Sequence, residues 1–196
     1  MVCAVIVTIL IIASCVLSYL SQLQVEKAAK RGDIGAQKKL GSMYLVRREY
    51  EKSIKWYEKA AEQGDNEVQY MLGEMYFRGR DVKQDYPKAI EWYQKAAEQG
   101  HSVAQYRLGD IYFTRWGVDQ DRKKGIEWYK KAAEQGYSEA QYSLGTIYYS
   151  GIVVNKDEKK GVEWYQKAAD QGHIAAKNRL DVITKNKPSG IKKIAK

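Results

Sequence analysis

From Ala89 the chain places apolar side chains at Ala89, Trp92, Tyr93, Ala96 and Ala97, with Lys, Glu and Gln filling most of the positions between them. The spacing i, i+3, i+4, i+7, i+8 makes one apolar stripe on a helix and predicts an amphipathic α-helix. The stripe closes at Gly100, a residue free to take the left-handed conformation of a helix C-terminus. It recurs around Trp56, Trp128 and Trp164, each 36 residues from the next member of the series. Asp85, Asp121 and Asp157 stand just ahead of three of these helices, where an N-cap oxygen is wanted. Between successive stripes lies a second pattern, Ala104, Leu108 and Tyr112 on one face, with Gly109 permitting close approach of a neighbour. Asn66, Ser102 and Ser138 each precede a glutamine (Gln69, Gln105, Gln141) by three residues, which is capping-box spacing and predicts that these helices start there.

Two helices returning at a fixed period signal a solenoid, in which each unit buries its apolar face on its neighbours. The expected fold is all-α: antiparallel helix pairs stacked into a right-handed α-α superhelix. The inter-unit glycines Gly32, Gly64, Gly100, Gly136 and Gly172 divide the chain. They predict units at about 33–64, 65–100, 101–136 and 137–172, with a half unit from residue 25 and a terminal half unit at 173–184, so that 25–184 is the solenoid. The first unit is four residues short, a deficit between Leu40 and Trp56. Residues 1–24 form an N-terminal hydrophobic segment, within which 2–20 carry no charge. Such a run is long enough for a membrane anchor. Lys27, Lys30, Arg31, Lys38 and Lys39 follow it and favour the repeats on the cytoplasmic side. A cleaved signal and an exported protein are the alternative, although no basic residue precedes the run.

Charge and chemistry change this picture little. Of a net charge of +9, five units lie in the tail 185–196, at Lys185, Lys187, Lys192, Lys193 and Lys196. The rest of the surface is mixed, and no nucleic-acid partner is expected. Cys3 and Cys15 both lie in the apolar leader, which excludes a disulfide framework and a metal-ligand spacing. His101 and His173 occupy one repeat position two units apart and read as surface turn residues rather than metal ligands. Glu91, Glu127 and Glu163 are likewise a unit apart and read as solvent-facing partners of nearby lysines. No phosphate loop or catalytic constellation is present, so neither enzyme activity nor a cofactor is expected.

The repeated phrase, Ala-x-x-x-Leu-Gly-x-x-Tyr, then Asp-x-x-Lys and Trp-Tyr-x-Lys-Ala-Ala-x-Gln-Gly, resembles the Sel1-like repeat family, a relative of the tetratricopeptide repeats. The resemblance spans about Lys27 to Leu180. Departures include Gly125 and Gly161 in place of Ala89, and Asp181 in place of glycine. The resemblance implies a protein-binding adaptor whose first helices line a concave groove. Groove positions would be Lys38, Ser42 and Leu45, then Tyr70, Glu74, Phe77 and Arg78, then Tyr106, Asp110 and Phe113, then Tyr142, Thr146 and Tyr149. The two phenylalanines, Phe77 and Phe113, share one column that Tyr149 continues. Together with Glu74, Asp110 and Arg78 they resemble a peptide-recognising groove, since aromatics and Arg dominate binding hot spots. The Tyr70, Tyr106 and Tyr142 column has a second reading, packing between units. Trp56, Trp92, Trp128 and Trp164 are expected in the core, whereas Trp116 stands alone in a loop. Some disulfide-rich relatives are classed as penicillin-binding or β-lactamase-like hydrolases. That is the alternative function here, and this chain lacks their cysteines.

Overall fold

The computed structural model describes residues 2–79, 82–114, 116 and 119–186, excepting the side chains at 2–11, 15 and 186. Within them every regular element is a helix, and the helices form two compact units, 1–85 and 86–196. The first holds α1 (Val2–Lys30), α2 (Ile34–Val46), α3 (Tyr50–Glu62) and α4 (Asn66–Arg78). The second holds α5 (Tyr86–Glu98), α6 (Ser102–Thr114), α7 (Arg122–Glu134), α8 (Ser138–Ser150), α9 (Glu158–Asp170) and α10 (Ile174–Asn186). The all-α repeat of helix pairs is thus present. The apolar leader runs without a break into the half repeat, burying Ala29 against Ala36 and Leu40. Most of the side chains of the expected anchor lie outside the described residues. Among the described residues no helix is long and apolar enough to cross a membrane, and the structure lends the anchor no support.

The turns between pairs form as their glycines require. Gly32, Gly64, Gly100, Gly136 and Gly172 have φ between +87° and +100°, and Asp121 and Asp157 accept the N–H groups of Lys124 and Lys160. Helices within a pair meet at small residues. A Cβ on Gly109 or Gly145 would fall inside the ring of Tyr129 or Tyr165. The replacement of Ala89 by Gly125 and Gly161 has a similar cause. A Cβ on Gly125 would lie 2.9 Å from the Gly109 carbonyl oxygen, and one on Gly161 would lie 2.7 Å from the Tyr149 nitrogen. At the same column of the first repeat, the Ser53 hydroxyl donates to the Gly41 carbonyl at 2.8 Å.

Three expectations are corrected. The first concerns the capping box. The N-cap lies one residue earlier: Asp33 and Asp65 accept from Ala36 and Val68, and His101 and His173 accept through Nδ1 from Ala104 and Ala176, at 3.2 Å each. The histidines are therefore helix caps, half-buried, rather than surface turn residues. The glutamines, freed from capping, are buried rungs between repeats. Gln37, Gln69, Gln105 and Gln141 donate to the carbonyls of Ala29, Ala61, Ala97 and Ala133 on the preceding helix. Gln37, Gln105 and Gln141 also accept from Gln63, Gln135 and Gln171 of the following helix at 2.7–2.8 Å. A glutamine can do both because its amide both donates and accepts.

The last correction concerns the tryptophans. Trp92 is 7% exposed, but Trp56, Trp128 and Trp164 are half-buried. The adjacent Tyr57, Tyr93, Tyr129 and Tyr165 take the buried positions instead. Each tryptophan ring is roofed by the lysine three residues on, Lys59, Lys95, Lys131 or Lys167, at 4.0–4.5 Å from the centroid. The indole thus meets water through a cation that its π face attracts.

Candidate functional site

The site starts from the buried tyrosine of each second helix. In the second unit Tyr129 of α7 points its hydroxyl at α6 and donates to Asp110 Oδ1 at 2.7 Å. Tyr165 of α9 donates to Thr146 of α8 at 3.1 Å. In the first unit Tyr57 and Ser42 make the same contact at 3.0 Å. In these three repeats the residue after the Leu-Gly pair therefore holds the phenol. A burial this complete would strand the hydroxyl without such a partner, at about 1–3 kcal/mol.

In the second unit two aromatic side chains of the first helix clasp Tyr129 and two clasp Tyr165. Tyr106 and Phe113 lie 5.6 and 6.0 Å from Tyr129, and Tyr142 and Tyr149 lie 5.6 and 6.2 Å from Tyr165. The tilted geometries are those that aromatic quadrupoles favour. Tyr106 also packs on Tyr137, and Tyr142 stacks on His173, the capping positions of the next repeat. All four clasping residues are half-buried, with one part of the ring in the cluster and another facing water. Beside Tyr149 opens a cleft of about 410 Å³, lined also by Glu158, Lys159, Val162, Glu163 and Ile183.

Asp110 is the charged centre of this face. Burial pushes its carboxyl above the usual range, only partly offset by the Tyr129 hydroxyl, Arg107 and Tyr106. Burial and the Asp110 charge push Tyr106 up to about 12, and push Tyr129 up as well. A carboxyl whose folded-state pKa lies above the unfolded value of about 3.9 stabilises the fold most at low pH. That contribution is lost as pH rises through the folded value. Asp110→Asn keeps an acceptor for Tyr129 and removes the titration. Its Tm is expected to match the wild type near pH 3 and exceed it at pH 7. Equal pH profiles for the two proteins would show that the Asp110 carboxyl is not raised by its surroundings.

In the first unit the predicted positions are engaged locally. Lys38 pairs with the N-cap Asp65 at 2.9 Å. Burial pushes the Asp65 carboxyl up, but the Val68 N–H and Lys38 outweigh it and hold it below the usual range. Arg78 donates to Glu74 at 2.7 Å, and Tyr70 and Phe77 are half-buried on α4. The shortened connection of the first repeat leaves Arg48 at φ +61° beside a cleft of about 610 Å³. Its lining includes Tyr50, Lys52, Val82 and Lys83. Trp116 is an exposed loop residue. Among the described residues no cluster of His, Cys, Asp or Glu could hold a metal ion. The phenol-holding column went unread in the sequence. Its one signal is the constant spacing of 19 residues between Asp110 and Tyr129 and between Thr146 and Tyr165.

The family described as Sel1 repeat matches four stretches of the chain, 35–65, 66–101, 102–137 and 138–173. A solved structure of a protective antigen present in uropathogenic Escherichia coli strains, displaying an SLR fold, is similar at 38% identity and a TM-score of 0.75. It covers 81% of this chain and 35% of that one. A Sel1 repeat protein from Oxalobacter formigenes is similar at 36% identity and a TM-score of 0.72, covering 83% of this chain and 48% of that one. Cysteine-rich protein B of Helicobacter pylori is similar at 26% identity and a TM-score of 0.54, covering 67% of this chain and 94% of that one. The chain spans about a third and about half of the lengths of the first two. A comparison with curated proteins gives no match.

Proposed function

Because the chain belongs to the Sel1-repeat family, whose members typically mediate protein–protein interaction, we propose that it is a non-enzymatic adaptor binding a protein or peptide on its first-helix face. The observation that carries this reading is the half-buried aromatic ladder of Tyr106, Phe113, Tyr142 and Tyr149, ending at the cleft beside Tyr149. Rings anchored on one side and wet on the other provide rigid contact area that loses little freedom on binding. Phe77, Tyr70, Glu74 and Arg78 on α4, and Lys38 on α2, extend the same repeat positions in the first unit. Selection of a random peptide library on the purified protein tests the reading. An enriched consensus is expected, and Phe113→Ala with Tyr149→Ala should weaken its binding about tenfold or more while the far-UV circular dichroism is unchanged. Peptides that bind the double variant equally well would remove the groove from this face.

No specific observation favours the hydrolase reading, and turnover of nitrocefin by the purified protein would sink the adaptor. From the sequence alone, we propose that the uncharged residues 2–20 hold the protein at a membrane with the repeats on the cytoplasmic side, although among the described residues no helix is long and apolar enough to cross one. Release by alkaline extraction, or a mature mass short of the leader, would overturn that placement in favour of export.

A further inference from the structure

In the second unit the connections α6–α7 and α8–α9 both run from the end of a first helix to the start of a second, so they emerge on one edge of the stack. Trp116 and Ile152 hold the same position of these two connections, 36 residues apart, and are 47% and 43% exposed. Val153 follows, 38% exposed, with φ of +72°. A β-branched side chain takes that conformation only at a steric cost. In the sequence of the preceding repeat the equivalent residue is a glycine, Gly117. Three apolar side chains therefore keep between a third and a half of their surface in water, one of them on strained backbone.

Cations follow them along the chain. Arg122, Lys123 and Lys124 open α7, Lys159 and Lys160 lie in the first turn of α9, and Lys156 precedes it. The nearby acids are Asp119, Asp121, Asp157 and Glu158. Asp121 and Asp157 are turned onto helix N–H groups, and Glu158 pairs with Lys156 at 2.7 Å. The cationic excess is carried mainly by Arg122, Lys123 and Lys159.

We propose that this edge docks on an anionic lipid bilayer. Trp116 sits at headgroup depth, where tryptophan is favoured. Ile152 and Val153 enter the acyl boundary, and the cations meet the anionic headgroups, the combination by which peripheral surfaces bind such membranes. A folded protein partner would need recesses cut to receive these three protruding side chains, whereas a fluid bilayer accommodates them. Trp116, Ile152 and Val153 are not part of the proposed peptide face, but Arg122 lies over the Phe113 ring and Lys159 lines the cleft beside Tyr149, so it is the Trp116 signal that separates this docking from the adaptor reading.

The test uses the full-length protein with vesicles of phosphatidylcholine mixed with phosphatidylserine, and with vesicles of phosphatidylcholine alone. Co-sedimentation and tryptophan emission are read together, because the apolar residues 2–20 offer a second route to lipid. The mixed vesicles are expected to blue-shift the emission, and the shift should vanish in Trp116→Phe, which leaves the half-buried tryptophans in place. The triple variant Trp116→Ala, Ile152→Ser, Val153→Ser should weaken binding about tenfold. Lys123→Glu with Lys159→Glu should weaken it as well, more at low salt than at high. A shift that persists in Trp116→Phe, or a Trp116-dependent shift of equal size with both vesicle types, would overturn the proposal. So would a Trp116 shift produced by soluble polyglutamate and not by vesicles, since the edge would then serve an acidic protein.

Discussion

Gly161→Leu is expected to lower stability by about 3 kcal/mol, the upper end of the usual cost of overpacking. The glycine sits where α9 crosses α8. Its Cβ would meet the Tyr149 nitrogen and Cβ at 2.7 Å and the Tyr149 Cα at 2.9 Å. These are largely backbone atoms, so a rotamer change cannot relieve the clash. The two helices must separate, and Tyr165 then loses its seat against Gly145 and its bond to Thr146. Gly136→Ala is the informative comparison. A Cβ there meets nothing within 4 Å, and the penalty comes from φ of +91° alone, about 1 kcal/mol. Urea unfolding followed by circular dichroism compares the two. Nearest-neighbour coupling in repeat proteins predicts that Gly161→Leu broadens the transition, with the α8–α10 end melting first. If Gly161→Leu costs no more than Gly136→Ala, the close crossing of α8 and α9 is wrong.

Gln105→Ala is expected to cost about 2 kcal/mol. The side chain is 5% exposed; it donates to the Ala97 carbonyl at 2.9 Å and accepts from Gln135 at 2.7 Å. Removing it leaves a carbonyl at the buried end of α5 without that donor and opens a small void, and both effects destabilise. Gln135→Ala should cost well under half as much, because Gln135 is exposed and water replaces it. A double-mutant cycle on the pair is expected to give a coupling of about 1 kcal/mol. Zero coupling would mean that the rung is geometry without energy.

The helices and the turns between them were legible because their causes are local. The stripe around Trp92 and Tyr93 and the positive φ at Gly100 depend on residues within a few positions. Asp121 needs only the N–H of Lys124. What was misread involves a partner one helix or more away. Ser102 and Gln105 have the spacing of a capping box, but Gln105 answers to Gln135, thirty residues on. Periodicity places Trp128 and Tyr129 on one stripe and cannot rank them. The crossing with α6 centres Tyr129 over Gly109 and leaves Trp128 at the margin under Lys131. Of the predicted site, Phe113 and Tyr149 make equivalent ring contacts, with Tyr129 and Tyr165. Asp110, expected to meet a partner, holds the Tyr129 hydroxyl.

The repeat, its two helices, its glycine turns and the resemblance that names its family all follow from the order of residues alone. Helix periodicity, capping and the freedom of glycine act over a few residues, and a 36-residue recurrence states the same local pattern four times. Which aromatic of each pair is buried, which glutamines bridge repeats, and which glycines a neighbouring backbone requires emerged only when the helices packed. So did the placement of Trp116 and Ile152 on one exposed edge. Each of these depends on distances between helices, set by how side chains interlock across the interface, and such distances are not written in the spacing of residues along the chain.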